Sequence, residues 1–224
     1  MLSSLLIGDA NFTTTVTYIL ASLVVIFATM PFHEFAHAFV ASKLGDRTAR
    51  YQGRLTLNPL YHIDYIGALC IVLFGFGWAR PVPVNPSAFK NPKRDMALTA
   101  LAGPVMNLIL AFVGYFFAYA FLYSYLHNHN IIFTYIAMFF YNFCSLNIGL
   151  AVFNLIPIPP LDGWKVLGAF LPARIYWKIM SYERYISFAV ILLICTGALS
   201  TPLGIISNIL SNVVSFLPRI IFSF

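Results

Sequence analysis

The chain has 224 residues, of which 60% are hydrophobic and only 9% are charged, and its formal net charge is +6. Soluble domains carry about 25% charged residues, so this composition excludes a soluble globular protein and predicts one membrane-embedded domain. A basic balance in a membrane protein indicates cytoplasmic loops and anionic lipid. No basic run is interleaved with stacking aromatic residues, which argues against a nucleic-acid partner.

Several apolar runs along the chain are long enough to cross a bilayer as helices, which takes about 20 residues. The predicted fold class is an all-α polytopic membrane protein with about five transmembrane helices, a re-entrant segment and a small membrane-associated β-sheet. The predicted spans lie near 14–42, 96–125, 131–156, 185–199 and 202–216, and the re-entrant segment at 66–78.

The basic residues predict how these spans are oriented. If segment 66–78 dips into the membrane and returns, all 13 basic residues fall on one side, which the positive-inside rule assigns to the cytoplasm. The prediction is a multi-pass protein of the cell membrane with its N-terminus outside. Its C-terminal tail, with Arg219, is expected to be cytoplasmic.

Two stretches between the first span and residue 96 alternate polar with β-favouring residues, one in the region 46–58 and one in the region 78–88. Both patterns are typical of strands or extended loops at the membrane surface. An unpaired strand edge is tolerated in a membrane only where protein or a water-filled cavity covers it. The sequence therefore predicts a small sheet beside a functional site.

The apolar run from Ile26 to Gly45 carries three ionisable side chains, His33, Glu34 and His37. Histidines four residues apart lie on one face of a helix, about 6 Å from each other, and can share a metal ion, while the neighbouring Glu can take a proton from metal-bound water. An ionisable residue deep in a membrane costs about 2.5–3.5 kcal/mol on insertion scales. Three of them together indicate an organising partner, and a zinc ion would supply one.

A catalytic zinc needs a third protein ligand, and the sequence offers Asp162 for this role. This residue follows a proline-rich break in "FNLIPIPPLDGWKV", near the end of the fourth apolar run. A carboxylate in such a break can reach the two histidines. Aspartate is also a good N-cap for a following helix, and the spacing alone leaves both roles open.

The pairing of HEFAH at 33–37 with N-x-x-P-x-P-P-L-D-G at 154–163 closely resembles the site-2 protease family of intramembrane zinc metalloproteases. "TLNPLYHIDYIG", "GWARPVPVNP" and "LAGPVMNLILA" are similar to that family's intervening segments, so the resemblance runs from about Phe27 to Val166. It implies one Zn²⁺ per chain, held by His33, His37 and Asp162. It implies Glu34 as the general base that activates zinc-bound water. It also implies that Asn154 helps to position or polarise the substrate; a hydrogen bond that packs helices would explain this residue equally well.

The resemblance further implies a single membrane-embedded metalloprotease domain over 1–224 that hydrolyses peptide bonds within or near transmembrane helices. The expected partners are a transmembrane protein or peptide substrate and membrane lipid, and a homo-oligomer is left open. No stretch resembles a PDZ or nucleotide-sensing domain, which indicates a minimal bacterial-type member. His62 and Asn107, in the family-like segments, are expected to be structural.

Two other functions are consistent with parts of the pattern. A membrane zinc transporter would place histidine and aspartate in its spans, but it would also need such ligands to continue across the bilayer. A non-catalytic relative that binds membrane proteins without cutting them would be expected to have lost Glu34 or a zinc ligand, and all four residues are present.

Overall fold

The computed structural model describes residues 12–74 and 78–224. The start of the chain, on which the predicted position of the N-terminus depends, and residues 75–77 of the predicted re-entrant segment lie outside this description. The helices of the described chain are α1 (Phe12–Leu44), α2 (Thr48–Tyr51), α3 (Tyr65–Phe74), α4 (Pro92–Asn128), α5 (Ile131–Asn154), α6 (Asp162–Gly168), α7 (Ala173–Met180), α8 (Glu183–Cys195) and α9 (Ser200–Ile221).

Four of these helices, α1, α4, α5 and α9, are long and apolar enough to cross a membrane. The coarse prediction of a helical multi-pass membrane protein is therefore confirmed. The sequence predicted about five spans, one of them at 185–199, but the helix in this region, α8, has 13 residues. At 1.5 Å per residue it is about 20 Å long, shorter than a hydrocarbon core of about 30 Å. The apolar run contains a turn at Gly197, where the positive φ of 74° interrupts the helix.

Helix α1 changes its winding just before the histidine motif. Residues Val25–Thr29 form a π-helical turn, and the α-helical part that follows, Met30–Leu44, has Pro31 in its first turn. Proline has no N–H to donate to the preceding turn, which favours a wider turn at this point. Gly45 then ends the helix with a φ of 117°, a left-handed conformation that glycine adopts without strain.

The centre of the fold is the antiparallel pair α4 and α5, joined by a short turn after Asn128. One buried cluster joins these two helices through Ala111, Tyr115, Cys144 and Ile148. A second buried cluster joins α1, α3 and α5 through the residues Ala21, Val25, Met30, Ile71, Leu146 and Leu150. The two clusters hold α1, α4 and α5 side by side, and these helices carry most of the functional site.

Helix α9 packs on α4 in a parallel direction. Near its start, Leu203 packs against the cluster that contains Ala111; near its end, Arg219 donates a hydrogen bond of 2.7 Å to the Tyr119 hydroxyl. The Phe222 ring then packs against the Tyr123 ring in a tilted arrangement. Arg219 therefore lies beside the half of α4 that leads to the 127–130 turn. This differs from the sequence prediction, which grouped Arg219 with the other basic residues on one side of the membrane.

The predicted β-sheet is not confirmed, because the described residues contain a single isolated antiparallel bridge between Ile63 and Ala79. In the region 46–58, the Asp46 carboxylate accepts hydrogen bonds from the backbone and hydroxyl of Thr48, and the chain turns into α2. In the region 78–88, three prolines at 81, 83 and 86 provide no N–H for a strand ladder. The alternating pattern is therefore found in a segment without regular secondary structure at 80–85, where the predicted strand pairing is not confirmed.

The two ends of the predicted re-entrant segment lie next to each other. The bridge between Ile63 and Ala79 joins them, and a methyl group at Gly67 would collide with the backbone of Trp78. A segment that enters a membrane and leaves on the same side needs such a closure. How deeply 66–78 enters the membrane stays a prediction.

Candidate metal centre

The structure brings together His33, His37 and Asp162. His33 and His37 lie one turn apart on α1, and their Nε2 atoms are 3.0 Å from each other. Asp162 is the first residue of α6, and its Oδ2 lies 3.4 Å from His33 Nε2 and 3.1 Å from His37 Nε2. All three side chains are buried, and no other group of three metal-ligating residues occurs in the described parts of the chain.

Helix α4 holds both imidazoles by their other ring nitrogen. His37 Nδ1 lies 2.7 Å from the Thr99 carbonyl oxygen, which can only accept a hydrogen bond, so Nδ1 carries the proton. His33 Nδ1 lies 3.2 Å from Asn107 Oδ1, which is also an acceptor. In the neutral imidazoles both Nε2 atoms are then unprotonated, and their lone pairs face each other. Contacts of this kind are what fix the tautomer and orientation of histidines that bind metals.

The arrangement of acceptors fits a bound cation. Two imidazole lone pairs and one carboxylate oxygen face one another within 3.4 Å, and without a cation or a proton these atoms would repel each other. Two neutral imidazoles and a carboxylate are a donor set that zinc prefers, with a fourth position left for water or substrate. Gly103 of α4 leaves room for this centre, since a methyl group there would collide with Nε2 of both His33 and His37.

The position of Asp162 depends on the break between α5 and α6. Leu161 is the residue at the N-cap position, with an extended φ and ψ of −67° and 159°. Asp162 is already in the helix, and its carboxylate points to the histidines. A methyl group at Gly163 would collide with the carbonyls of Leu155 and Ile156, so this glycine lets α6 start directly under the end of α5. Of the two roles that the spacing left open, the geometry favours the ligand over the cap.

The sequence analysis did not identify Lys165 as a site residue. Its Nζ donates a hydrogen bond of 2.9 Å to Asp162 Oδ1, the oxygen that faces away from the shortest histidine contacts. Burial lowers the pKa of the Lys165 ammonium, but the Asp162 carboxylate outweighs this effect and leaves that pKa above its ordinary value. The spacing of three residues on a helix is the signal that would have revealed this ion pair.

Glu34 lies beside the metal-ligating group on the wall of a cavity of about 450 Å³. Its side chain is buried, and its Oε2 accepts a hydrogen bond of 2.9 Å from the backbone N–H of Val82. The same cavity is lined by His33, His37 and Asp162. The predicted general base therefore faces the same space as the predicted ligands.

Asn154 also lines this cavity. Its Nδ2 donates a hydrogen bond of 3.0 Å to the Leu150 carbonyl of its own helix, which agrees with the packing interpretation, whereas its place on the cavity wall agrees with a role towards substrate.

His62 lies outside the metal-ligating group. It is fully buried, and its Nε2 bonds the Thr56 carbonyl at 2.7 Å, as expected of a structural residue.

Comparison with known proteins identifies the family. A family model described as Peptidase family M50 matches residues 124–197. Three relatives share the printed name "Putative zinc metalloprotease". YwhC of Bacillus subtilis (strain 168) is 44% identical over 187 residues, which cover 84% of this chain and 82% of that protein.

Two further relatives have a lower identity with this chain. Rip2 of Mycolicibacterium smegmatis is 30% identical over 173 residues, or 75% of this chain and 64% of that protein. MJ0611 of Methanocaldococcus jannaschii is 30% identical over 172 residues, or 75% of this chain and 80% of that protein. No solved structure matches. The identity with YwhC extends over most of both chains, and we conclude that this chain belongs to Peptidase family M50, the site-2 protease family, and is a zinc metalloprotease.

Proposed function

We propose that this protein is an intramembrane protease that hydrolyses peptide bonds within or near the transmembrane helices of other membrane proteins. The observation that supports this most strongly is the position of its chemistry. His33, Glu34 and His37 are buried on α1, a helix of 33 residues that is long and apolar enough to span a membrane. A scissile bond would therefore have to come to the site within the membrane or at its edge.

We propose that one zinc ion per chain is held by His33 Nε2, His37 Nε2 and Asp162 Oδ2. When bound, zinc polarises the substrate carbonyl and lowers the pKa of a water molecule to about 7. Thr99 and Asn107 keep the two imidazoles in the tautomer that a cation needs. Lys165 occupies the second oxygen of Asp162, which leaves Oδ2 as the oxygen available for the ion.

Glu34 would be the general base and then the general acid of the reaction. Its carboxylate takes a proton from the attacking water as the new C–O bond forms, and it gives this proton to the amide nitrogen as the C–N bond breaks. Val82 holds Oε2, and Oε1 remains for the water. We propose that Asn154, which lines the same cavity, positions or polarises the substrate.

The shape of the cavity supports an extended substrate segment. A helix with its side chains is about 10–12 Å across, whereas a volume of about 450 Å³ is that of a small-ligand pocket. A transmembrane substrate would have to unwind locally before its scissile bond could enter. We propose a transmembrane protein or peptide as the substrate and membrane lipid as the surroundings.

We propose that the metal centre lies towards the cytoplasm and that the N-terminus lies outside. Lys165 bonds the proposed ligand Asp162, and Arg54 bonds the segment whose Val82 contacts Glu34, which supports placing this basic side of the chain, by the positive-inside rule, in the cytoplasm. Because α9 packs parallel to α4, the same orientation takes Arg219 towards the outer side, in place of the cytoplasmic tail that the charge pattern predicted.

A pair of variants tests this proposal. We expect the zinc-loaded wild type, reconstituted in vesicles, to cleave a membrane-spanning reporter, and Glu34→Gln to lose about 10²- to 10⁴-fold of this rate while it keeps its zinc, since general acid–base catalysis contributes effects of this size. Equal cleavage by both proteins would contradict the role of Glu34. No cleavage of any membrane-spanning reporter by the zinc-loaded wild type, with zinc entering the vesicles instead, would favour a transporter.

A further inference from the structure

The segment 79–85, here called the strap, lines the cavity of the metal centre through Ala79, Pro81, Val82 and Val84. At one end Ala79 pairs with Ile63, and at the other end the Asn85 N–H donates a hydrogen bond of 2.7 Å to Asp46 Oδ2. Between these ends, the Val82 N–H donates its bond to Glu34. The strap is therefore fixed at both ends and contacts the proposed general base at its centre.

The sequence of the strap leaves one backbone donor near Glu34. Pro81 and Pro83 flank Val82, and proline has no N–H. Proline also restrains the residue before it to an extended conformation, so Val82 is held extended by Pro83. The strap thus presents a single N–H to the Glu34 carboxylate, with no neighbouring donor to compete for it.

Arg54 fixes the strap directly before Val82. Its Nη2 donates hydrogen bonds of 2.7 Å to the Arg80 carbonyl and 3.1 Å to the Pro81 carbonyl. Bonds from a charged donor are shorter and stronger than those between neutral groups. The Arg80 N–H also donates a bond of 2.8 Å to the carbonyl of buried His62, so the strap is held from two sides just before it reaches Glu34.

We propose that Arg54 is a positioning residue of the protease, which acts on Glu34 through the strap and the Val82 N–H. This inference rests on the proposed role of Glu34 as general base. Arg54 itself bonds to backbone carbonyls and not to the metal ligands. Its loss should misplace the base without removing the zinc, and a misplacement of about 1 Å can cost about 10²-fold in rate.

Three variants test the catalytic part of this inference. We expect Arg54→Gln to lower kcat by about 10- to 100-fold, to leave KM within about threefold of the wild-type value, and to keep the wild-type zinc content. Arg54→Lys keeps a charged donor and should recover part of kcat. The matched control is Arg50→Gln, which removes the same charge from an exposed side chain on α2 and should behave as wild type.

Hydrogen–deuterium exchange tests the structural part without any need for cleavage. In the zinc-loaded full-length protein, we expect amides of the strap to exchange faster in Arg54→Gln than in the wild type or Arg50→Gln, because local opening governs exchange. Unchanged exchange would overturn the inference, as would a kcat equal to that of Arg50→Gln, or a loss in KM alone. If the wild type cleaves nothing, the proposed function fails, and the exchange result still decides whether Arg54 holds the strap.

A substitution in the strap isolates the bond to Glu34. Val82→Pro removes the N–H that Glu34 accepts, whereas Val82→Ala keeps it and shortens the side chain. We expect Val82→Pro to lose about tenfold more of kcat than Val82→Ala. Equal losses in these two variants would show that the side chain, and not the N–H, accounts for the effect of the strap, and would overturn the inference.

Discussion

His33 and His37 reach the metal centre from within a continuous helix, whereas Asp162 reaches it from the first turn of a short helix after a proline-rich break. Each histidine has a second contact on a different helix, with Thr99 or Asn107 of α4. The hydrogen bond that holds Asp162, from Lys165, comes from its own short helix. The histidine half is therefore fixed by packing between two long helices, and the aspartate half by the geometry of the α5–α6 break.

This difference predicts which substitutions should affect the metal centre most. A change between α1 and α4 acts on both histidine Nε2 atoms at once, because the two helices pack closely at Gly103. A change at Lys165 acts on Asp162 Oδ1, which is not the oxygen closest to the histidines. We therefore expect substitutions in α4 next to the two histidines to weaken zinc binding more than a substitution of Lys165, which positions Asp162.

The largest expected effect is that of Gly103→Ala. The added methyl group would collide with both Nε2 atoms, so either α4 moves away from α1 or the imidazoles turn out of position. We expect zinc affinity, measured by competition with a chromophoric chelator, to fall by at least about 100-fold, the upper end of effects seen when groups that support a metal site are altered.

Gly149→Ala is the matched control, because no atom beyond the neighbouring backbone of its own helix lies within 4 Å of a methyl group placed there. We expect it to keep the affinity of the wild type, and its helix should be slightly more stable since alanine has the higher helix propensity. If Gly103→Ala binds zinc as tightly as Gly149→Ala, this result would contradict the close packing of α4 against the two histidines.

An intermediate effect is expected from Asn107→Leu. The substitution removes the acceptor that holds His33 Nδ1 while keeping a side chain of similar size, and it leaves a buried imidazole N–H without a partner. We expect a loss of about 10- to 100-fold in zinc affinity. Asn107→Asp retains an acceptor at the same place and should lose less; a ranking in the opposite order would argue against the proposed tautomer of His33.

The smallest expected effect is that of Lys165→Met. This variant removes the hydrogen bond to Asp162 Oδ1 but leaves Oδ2 beside the histidines. We expect zinc affinity to change by less than about tenfold, at or below the lower end of such effects. Lys178→Met removes a positive charge from α7, away from the cavity lining, and serves as the control. A larger loss in Lys165→Met than in Asn107→Leu would reverse the comparison between the two halves.

The parts of the fold that follow local patterns could be predicted from the sequence. The long apolar runs gave α1, α4, α5 and α9, and the spacing of His33 and His37 placed both imidazoles on one helix face. The predicted span at 185–199 is not among the helices long enough to cross a membrane, because hydropathy does not register the turn at Gly197. The sheet was not confirmed because the donors of the extended segments bond to Glu34 and Asp46 in place of a neighbouring strand.

The parts of the site that depend on contacts between distant segments could not be predicted in the same way. Thr99 supports His37 through a backbone carbonyl, and a carbonyl leaves no signature in the sequence. Asn107 was expected to be structural, and its contact with His33 becomes visible only when α1 and α4 lie together. Asp162 could be a ligand or a cap by spacing, and the path of the α5–α6 break distinguishes the two.

The most direct test of the central claim, that two imidazoles and one carboxylate hold a single zinc ion, is the zinc content of the purified protein and its ligand variants. After zinc is supplied and excess metal is removed, we predict one zinc per wild-type chain and a large loss in each of His33→Ala, His37→Ala and Asp162→Asn, with Glu34→Gln retaining its ion. A wild-type chain that holds no zinc, or an Asp162→Asn variant that binds it with unchanged affinity, would contradict this account.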